Sequence, residues 1–494
     1  MPKVSSSIGK KLNDFVKEFG SDVFSTDGSV LFCKVCEKSV NFEKKYFISQ
    51  HVQTAKHQNA ANKTKPGDQQ TSLLTTFSAS TSRKSTFSLE LCKAFVDAGI
   101  PLWKLENKSL KLFLEKYTKE VIPSESTLRK NYVDTLYDLT MQRIKEEVKD
   151  KKIWISIDET TDVKGRYVAN VIIGTLEVAE MSKIYLLTSE ELEKTNSSTI
   201  AQLFTTALAL LWPEGVQHKN VLLFLSDAAP YMKKSARVLK VLFPEMIHLT
   251  CLAHGLHRIA EHVRGLFPSI DKLVSNGKKI FLKAPSRCVA FKEIAPELAL
   301  PPQPILTRWG TWISAVLYYT SNFDKFEEVI ESLDDSDSSA VHIVKELLQD
   351  KVLRNDLAFI ASNYAKLPEA INALEKRNMP LVDALKCFES IIEDLSTVSG
   401  KKGKSVHQKC EQVVAANKDL EKMKNIRRIL EGENDTDVGD MDPQTVACFK
   451  YAPVTSVDVE RSFSLFKHLL SDRRQGFKFE SIKKMLVISC NQTD

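Results

Sequence analysis

The sequence predicts a multidomain protein of mixed α+β and α/β class: a small zinc-binding module, then a mixed sheet with helices on its faces, then a large all-helical stretch. Three observations predict it. Paired cysteines and histidines fall between residues 33 and 57. Apolar runs of strand length alternate with helical segments between 151 and 267. From 268 to about 445 nearly every segment repeats its apolar residues at three- and four-residue spacing, the mark of amphipathic helices.

At 494 residues the chain is long enough for roughly three domains. Its 43% hydrophobic and 27% charged content is that of a globular protein, and no run approaches the ~18 apolar residues of a membrane span. The opening "MPKVSSSIGKKLNDF" lacks a signal-peptide core, and the nine cysteines are mostly scattered singly. These features predict an intracellular protein without a disulfide framework. Residues 1–65 hold eleven lysines against six acids, most of the +6 net charge of the whole chain, which points weakly to a polyanionic partner at this end.

Residues 1–58 form the first unit. Cys33-x2-Cys36 followed by His51-x5-His57 supplies two thiolates and two imidazoles, a donor set that closes a tetrahedron round Zn²⁺. The metal would replace a core too small to stand alone. The lysines around it, Lys34, Lys44 and Lys45 among them, fit a face that meets phosphates. Residues 59–85, rich in Ser, Thr, Asn, Gln and Lys, read as a flexible linker.

Residues 86–150 read as a helical region. The period then changes, and 153–158, 167–177 and 183–189 are expected strands joined by short connections. A helix near 198–212, a strand at 220–226, a helix near 231–243 and a strand at 246–251 complete 151–267, an antiparallel hairpin system feeding βαβ units. After the helical stretch 268–445, a last segment covers 446–494.

Asp158 follows the apolar run "KKIWISI" and Asp227 follows "NVLLFLS". Either aspartate alone reads equally as a cap or turn residue. Together they place two carboxylates near neighbouring strand ends, an arrangement able to share divalent cations. Glu159, Asp162 and Asp458 are competing acids. Cys251-x2-His254, with His257 and His262 nearby, admits a second zinc site or plain core packing. "ILTRWGTW" carries Arg308 and Trp309; Trp309 also reads as a core residue, Trp312 more so. Arg461, Arg473 and Arg474 fit phosphate contact or pairing with acids.

The finger segment "LFCKVCEKSVNFEKKYFISQHVQTAKH" resembles a BED-type zinc finger, and particularly the DNA-binding finger of the CGG triplet repeat-binding proteins. From about 86 onward, "SIDETTD", "SDAAPYM", "CLAHGLHRIAE" and "APVTSVDVERSFSLFKHLLSDRRQGF" together resemble the hAT family of DNA transposases. The resemblance implies a ribonuclease-H-like core interrupted by a helical insertion, with a C-terminal dimerisation region. It implies that Asp158, Asp227 and Glu460 bind Mg²⁺ or Mn²⁺, that His254 touches the DNA backbone with Cys251 packed behind it, and that Arg308 and Trp309 face distorted DNA. Double-stranded DNA, a homodimer or higher oligomer, no membrane and a nuclear location follow from it. The competing expectation is a DNA-binding regulator that kept the fold without the chemistry.

Overall fold

The computed structural model describes residues 5–21, 23–26, 30–36, 38–54, 57–58, 86–305, 308–433, 436–439, 441–470 and 478–492. The expected linker and the arginines at 473 and 474 lie outside the described residues. The chain divides into two compact units, Met1–Lys84 and Ser85–Asp494.

In the first unit, β1 (Phe24–Thr26), β2 (Leu31–Cys33) and β3 (Lys38–Val40) form an antiparallel sheet, with Phe24 opposite Cys33 and Leu31 opposite Val40. Helices Ser5–Phe19 and Lys45–Gln53 accompany it. Among the described residues its core holds seven buried side chains: Leu12, Phe15, Phe24, Leu31, Cys33, Val40 and Ile48. That is too little apolar area to offset the entropy of ordering the segment, the situation in which small domains depend on a metal.

The second unit is built on β4 (Lys152–Thr161), β5 (Tyr167–Leu176), β6 (Ile184–Leu192), β7 (Val221–Ser226) and β8 (Ile247–Thr250). Their order across the sheet is β6-β5-β4-β7-β8. The first three strands are antiparallel neighbours, while β7 and β8 run parallel to β4. Helices Ser197–Leu211 and Pro230–Leu239 make the two crossovers that parallel pairing requires. This is the expected mixed sheet, and a large helical region follows it.

Central position explains composition. Every residue of β7 is buried, as are Ile153 to Ile157 of β4, so these strands read as unbroken apolar runs. Trp154 lies across Gly174, its direct partner on β5, and donates from Nε1 to Ser182 Oγ at 2.8 Å. A Cβ at Gly174 would sit 2.3 Å from the indole, so only glycine fits there.

One boundary differs from expectation. β4 does not stop at Asp158 but runs three residues further, pairing Glu159, Thr160 and Thr161 with Ala169, Val168 and Tyr167. The antiparallel hairpin sustains it. Asp162 closes the turn, accepting from the backbone N–H of Lys164 at 2.8 Å and of Arg166 at 3.0 Å. On its other side β4 loses β7 after Ser156–Leu225, so Asp158 lies past the end of the parallel pairing.

Each outer edge of the sheet is closed by an asparagine side chain. On β8, Asn417 accepts from Thr250 N at 3.1 Å and donates to Thr250 O at 2.9 Å. On β6, Asn491 accepts from Leu186 N at 2.9 Å and donates to Leu186 O at 2.8 Å. Each amide stands in for one residue of a missing strand and satisfies backbone groups that would otherwise be orphaned.

The helices between 86 and 150 do not close a core alone. Cys92, Phe95, Val96, Leu102, Leu105, Ile122 and Leu128 form one cluster with Met485 and Ile488 of the last helix, Phe479–Cys490. Phe466, Leu470 and Leu486 join the main core, so most of the C-terminal apolar surface is internal packing. Among the described residues no helix is long and apolar enough to cross a membrane, and all nine cysteines are unbridged.

Candidate functional sites

In the finger, β2 delivers Cys33, the turn after it Cys36, helix Lys45–Gln53 His51, and the segment beyond that helix His57. One ligand atom from each lies within 4.8 Å of all the others. His57 Nδ1 is 3.5 Å from Cys33 Sγ and 3.2 Å from Cys36 Sγ. Zn–S and Zn–N bonds of about 2.3 and 2.0 Å give tetrahedral edges in this range. Cys33 and His57 are buried, and burial lowers the His57 pKa, which keeps its nitrogen available to a metal. The four residues form a Cys2His2 set consistent with structural zinc. Of the nearby lysines, Lys34 donates to Ser21 O at 2.9 Å, Lys45 pairs with Glu18, and Lys44 stands exposed before the helix.

In the second unit the sequence-selected acids gather around the start of helix Leu252–Gly265. Asp227 follows β7 and accepts from Ala229 N at 3.1 Å. Continuing the β4–β7 register by two residues puts it beside Asp158, and adjacent strands lie about 4.8 Å apart. Asp158 is partly buried. Burial pushes its carboxyl up to about 7, with His254 opposing the rise and Glu159 and Asp227 reinforcing it. Glu460 arrives on helix Val457–Leu469, more than 200 residues downstream, and places Oε1 3.3 Å from His254 Nε2.

That helix and the segment before it are tied to the core at two points. Asn170, opposite Asp158 on β5, donates to Ser462 Oγ at 2.7 Å. Leu252 N donates to Val454 O at 3.0 Å, which returns the chain to the strand ends after the helical stretch.

His254 is the shared cation of this group. Cys251 beside it raises its pKa to about 10; burial works against the rise, and Glu460 and Asp158 add to it. Burial tends to raise the Cys251 thiol, but His254 and hydrogen bonds from His254 and Ser456 bring it below its ordinary value. The Ser456 N–H points at Cys251 Sγ from 3.3 Å. A second zinc set does not form among the described residues. His254 turns to Glu460, whereas His257 lies 3.6 Å from Glu375 and accepts from Gly310 N at 3.3 Å.

The competing acids separate cleanly. Asp162 is committed to its turn and to Arg166. Asp458 pairs with Arg377 at 2.8 Å and Arg461 at 2.9 Å. Glu159, next to Asp158 on β4, accepts from the Tyr231 hydroxyl instead. Arg308 lies 3.3 Å from Glu460 and 3.5 Å from Glu375, so it bridges two carboxylates. Trp309 is partly buried with the Arg264 guanidinium 4.6 Å from its ring centroid, while Trp312 is a core residue donating to Asp271 at 3.1 Å.

Glu375, Tyr231 and Asn170 were not singled out from the sequence. Tyr231 had a faint signal, four residues beyond Asp227 in "SDAAPYM". Glu375 and Asn170 had none.

Fold and sites thus define a chain with a Cys2His2 finger and a mixed-sheet core carrying a cluster of partly buried acids. Comparison with known proteins agrees in three places. Residues 6–63 match the CGGBP1 N-terminal domain family, 78–135 the CGGBP1 helical domain family, and 123–280 a domain of unknown function, DUF659. CGG triplet repeat-binding protein 1 of Mus musculus is 29% identical over 136 residues, 25% of this chain and 79% of the relative; its Homo sapiens counterpart gives the same figures.

Proposed function

We propose that this chain is a nuclear, DNA-binding protein of hAT-transposase type that cuts and joins DNA, acting as a homodimer or higher homo-oligomer. DNA binding rests on the finger: a set of four metal donors beside exposed lysines, in a region similar to a protein named for binding CGG triplet repeats. The catalytic reading rests on one observation. Asp158 and Glu460, distant in sequence, both lie beside His254, and Asp227 lies beside Asp158.

The donor set suits Mg²⁺ or Mn²⁺. It is all oxygen, and the burial and neighbouring acids that raise the Asp158 carboxyl against the pull of His254 are effects a bound divalent cation would offset. When bound, such ions would supply electrostatic stabilisation to a phosphodiester attacked by water or a 3′-hydroxyl. The protein's own part is electrostatic and positional. His254 offers a protonated nitrogen beside Glu460, placed to meet a backbone phosphate. Arg308 can exchange its carboxylate partners for phosphate oxygens, with geometry that suits a planar fork. Trp309 offers a ring for an unpaired base.

The test is Mn²⁺-supported nicking of DNA bearing the gene's own flanking ends. Asp227→Asn is expected to reduce nicking at least 100-fold while duplex affinity stays within twofold. Equal nicking by wild type and variant would reject the assignment.

One observation favours the second reading, a DNA-binding regulator without catalysis. Among the described residues only the finger brings three or more candidate donors within 4.8 Å of one another, whereas Glu460 is held by His254 and Arg308. Wild-type protein that binds duplex DNA but never nicks it would establish that reading.

A further inference from the structure

A second polar concavity lies at the β8 edge of the core. Helix Pro230–Leu239, β8 and the turn at 416–419 enclose about 150 Å³, and Lys233, Arg237, Lys240 and Lys418 all line it. The one acid that reaches this space, Asp419, is already engaged. It accepts from His248 N at 2.8 Å and pairs with Lys240. Among the described residues, no carboxylate lies within ion-pair range of Lys233, Arg237 or Lys418.

The cavity therefore concentrates positive charge that the protein does not neutralise. His248 adds none: burial drives it down to about 4, Lys240 and Lys233 press it lower against the pull of Asp419, and its Nε2 sits 2.9 Å from Ser226 Oγ. The walls are well fixed. Asn417 is locked to Thr250 and Asp419 to His248, which holds the backbone of Lys418 between them in place. Lys233 and Arg237 share a helix face at i and i+4, and Lys240 follows. The row extends about 10 Å along the axis, room for more than one phosphate of a strand. It begins on the helix that starts three residues after Asp227.

We infer that this cavity is a phosphate site, receiving backbone phosphates of a DNA strand whose course continues past Asp227. The affinity for phosphate stands on the three unpaired cations, Lys233, Arg237 and Lys418; only the course past Asp227 rests on the proposed DNA chemistry.

The experiment is amine-labelling footprinting of the zinc-loaded 494-residue chain without added Mg²⁺ or Mn²⁺, read by mass spectrometry, with a 30-base-pair duplex, a 30-nucleotide single strand, or inorganic phosphate at millimolar concentration. Either DNA is expected to lower labelling of Lys233 and Lys418 at least threefold, with exposed Lys351 unchanged. The triple variant Lys233→Gln/Arg237→Gln/Lys418→Gln should bind the duplex about tenfold more weakly near 0.1 M salt. The slope of log Kd against log salt should fall by about 2–3, one unit per lost phosphate contact. Protection by inorganic phosphate without protection by DNA would overturn the strand assignment and leave a small-anion site. No protection by any probe, with an unchanged salt slope, would overturn the site itself. Because the footprint needs no Mg²⁺ or Mn²⁺, protection by DNA from a protein that never nicks when Mn²⁺ is added would sink the catalytic proposal and leave this one standing.

Discussion

The finger and the acid cluster draw their side chains together in opposite ways. Four donors within 25 residues converge in the finger until each lies within 4.8 Å of the others, and the fold around them is hardly more than their frame. In the core, the acids come from β4, the end of β7 and a helix beyond position 450, and each has a protein partner: Glu159 N for Asp158, Ala229 N for Asp227, His254 and Arg308 for Glu460. A site made from local sequence depends on its metal for structure. One assembled over long range is held by the protein, so an incoming cation must compete with contacts already made.

Four measurements would break or sharpen that contrast. The largest effect belongs to Cys36→Ser. It should abolish zinc binding, taking metal content from one equivalent to none, and unfold Met1–Lys84 while Ser85–Asp494 keeps its melting transition; retained amide dispersion in the finger would contradict metal dependence.

Gly174→Ala should act only on the larger unit. The added methyl meets the Trp154 indole at 2.3 Å, and the strain should cost about 2–3 kcal/mol in denaturant unfolding, with zinc content unaltered. Asn491→Ala comes next, at about 2 kcal/mol, because it strips partners from both backbone groups of Leu186. Hydrogen exchange at Leu186 should rise more than at Leu249.

The smallest effect has the opposite sign. Asp158 has a folded-state pKa of about 7 against an ordinary 3.8, so the folded protein binds more protons than the unfolded chain between those values. Stability from this group is therefore present below about pH 4 and is lost as pH rises to about 7. Asp158→Asn, without metal, should melt a few degrees above wild type at pH 8 and show no gain at pH 4. Equal gains at both pH values would mean that burial of the charge is not the cause.

Much of this was legible in the sequence because it is written locally. The finger's donor spacing, the unbroken apolar runs of β4 and β7, and the acids that follow them all depend on neighbours in the chain. What was not legible depends on packing over long separations. Nothing near Arg308 announces that Glu460, 152 residues away, will be its partner, nor that Met485 and Ile488 complete the helical cluster of 86–150. The end of β4 was misplaced for a related reason. An acid after an apolar run reads as a boundary, but the hairpin turn at Asp162 carries the ladder past it.

The paired asparagines at the rims of the sheet bear on how copies of this protein can associate. Thr250 and Leu186 already spend their outward donors and acceptors within the same chain. A neighbouring molecule cannot add a strand at either residue without first evicting an amide. Strand addition across the sheet edges is thereby disfavoured at these two residues.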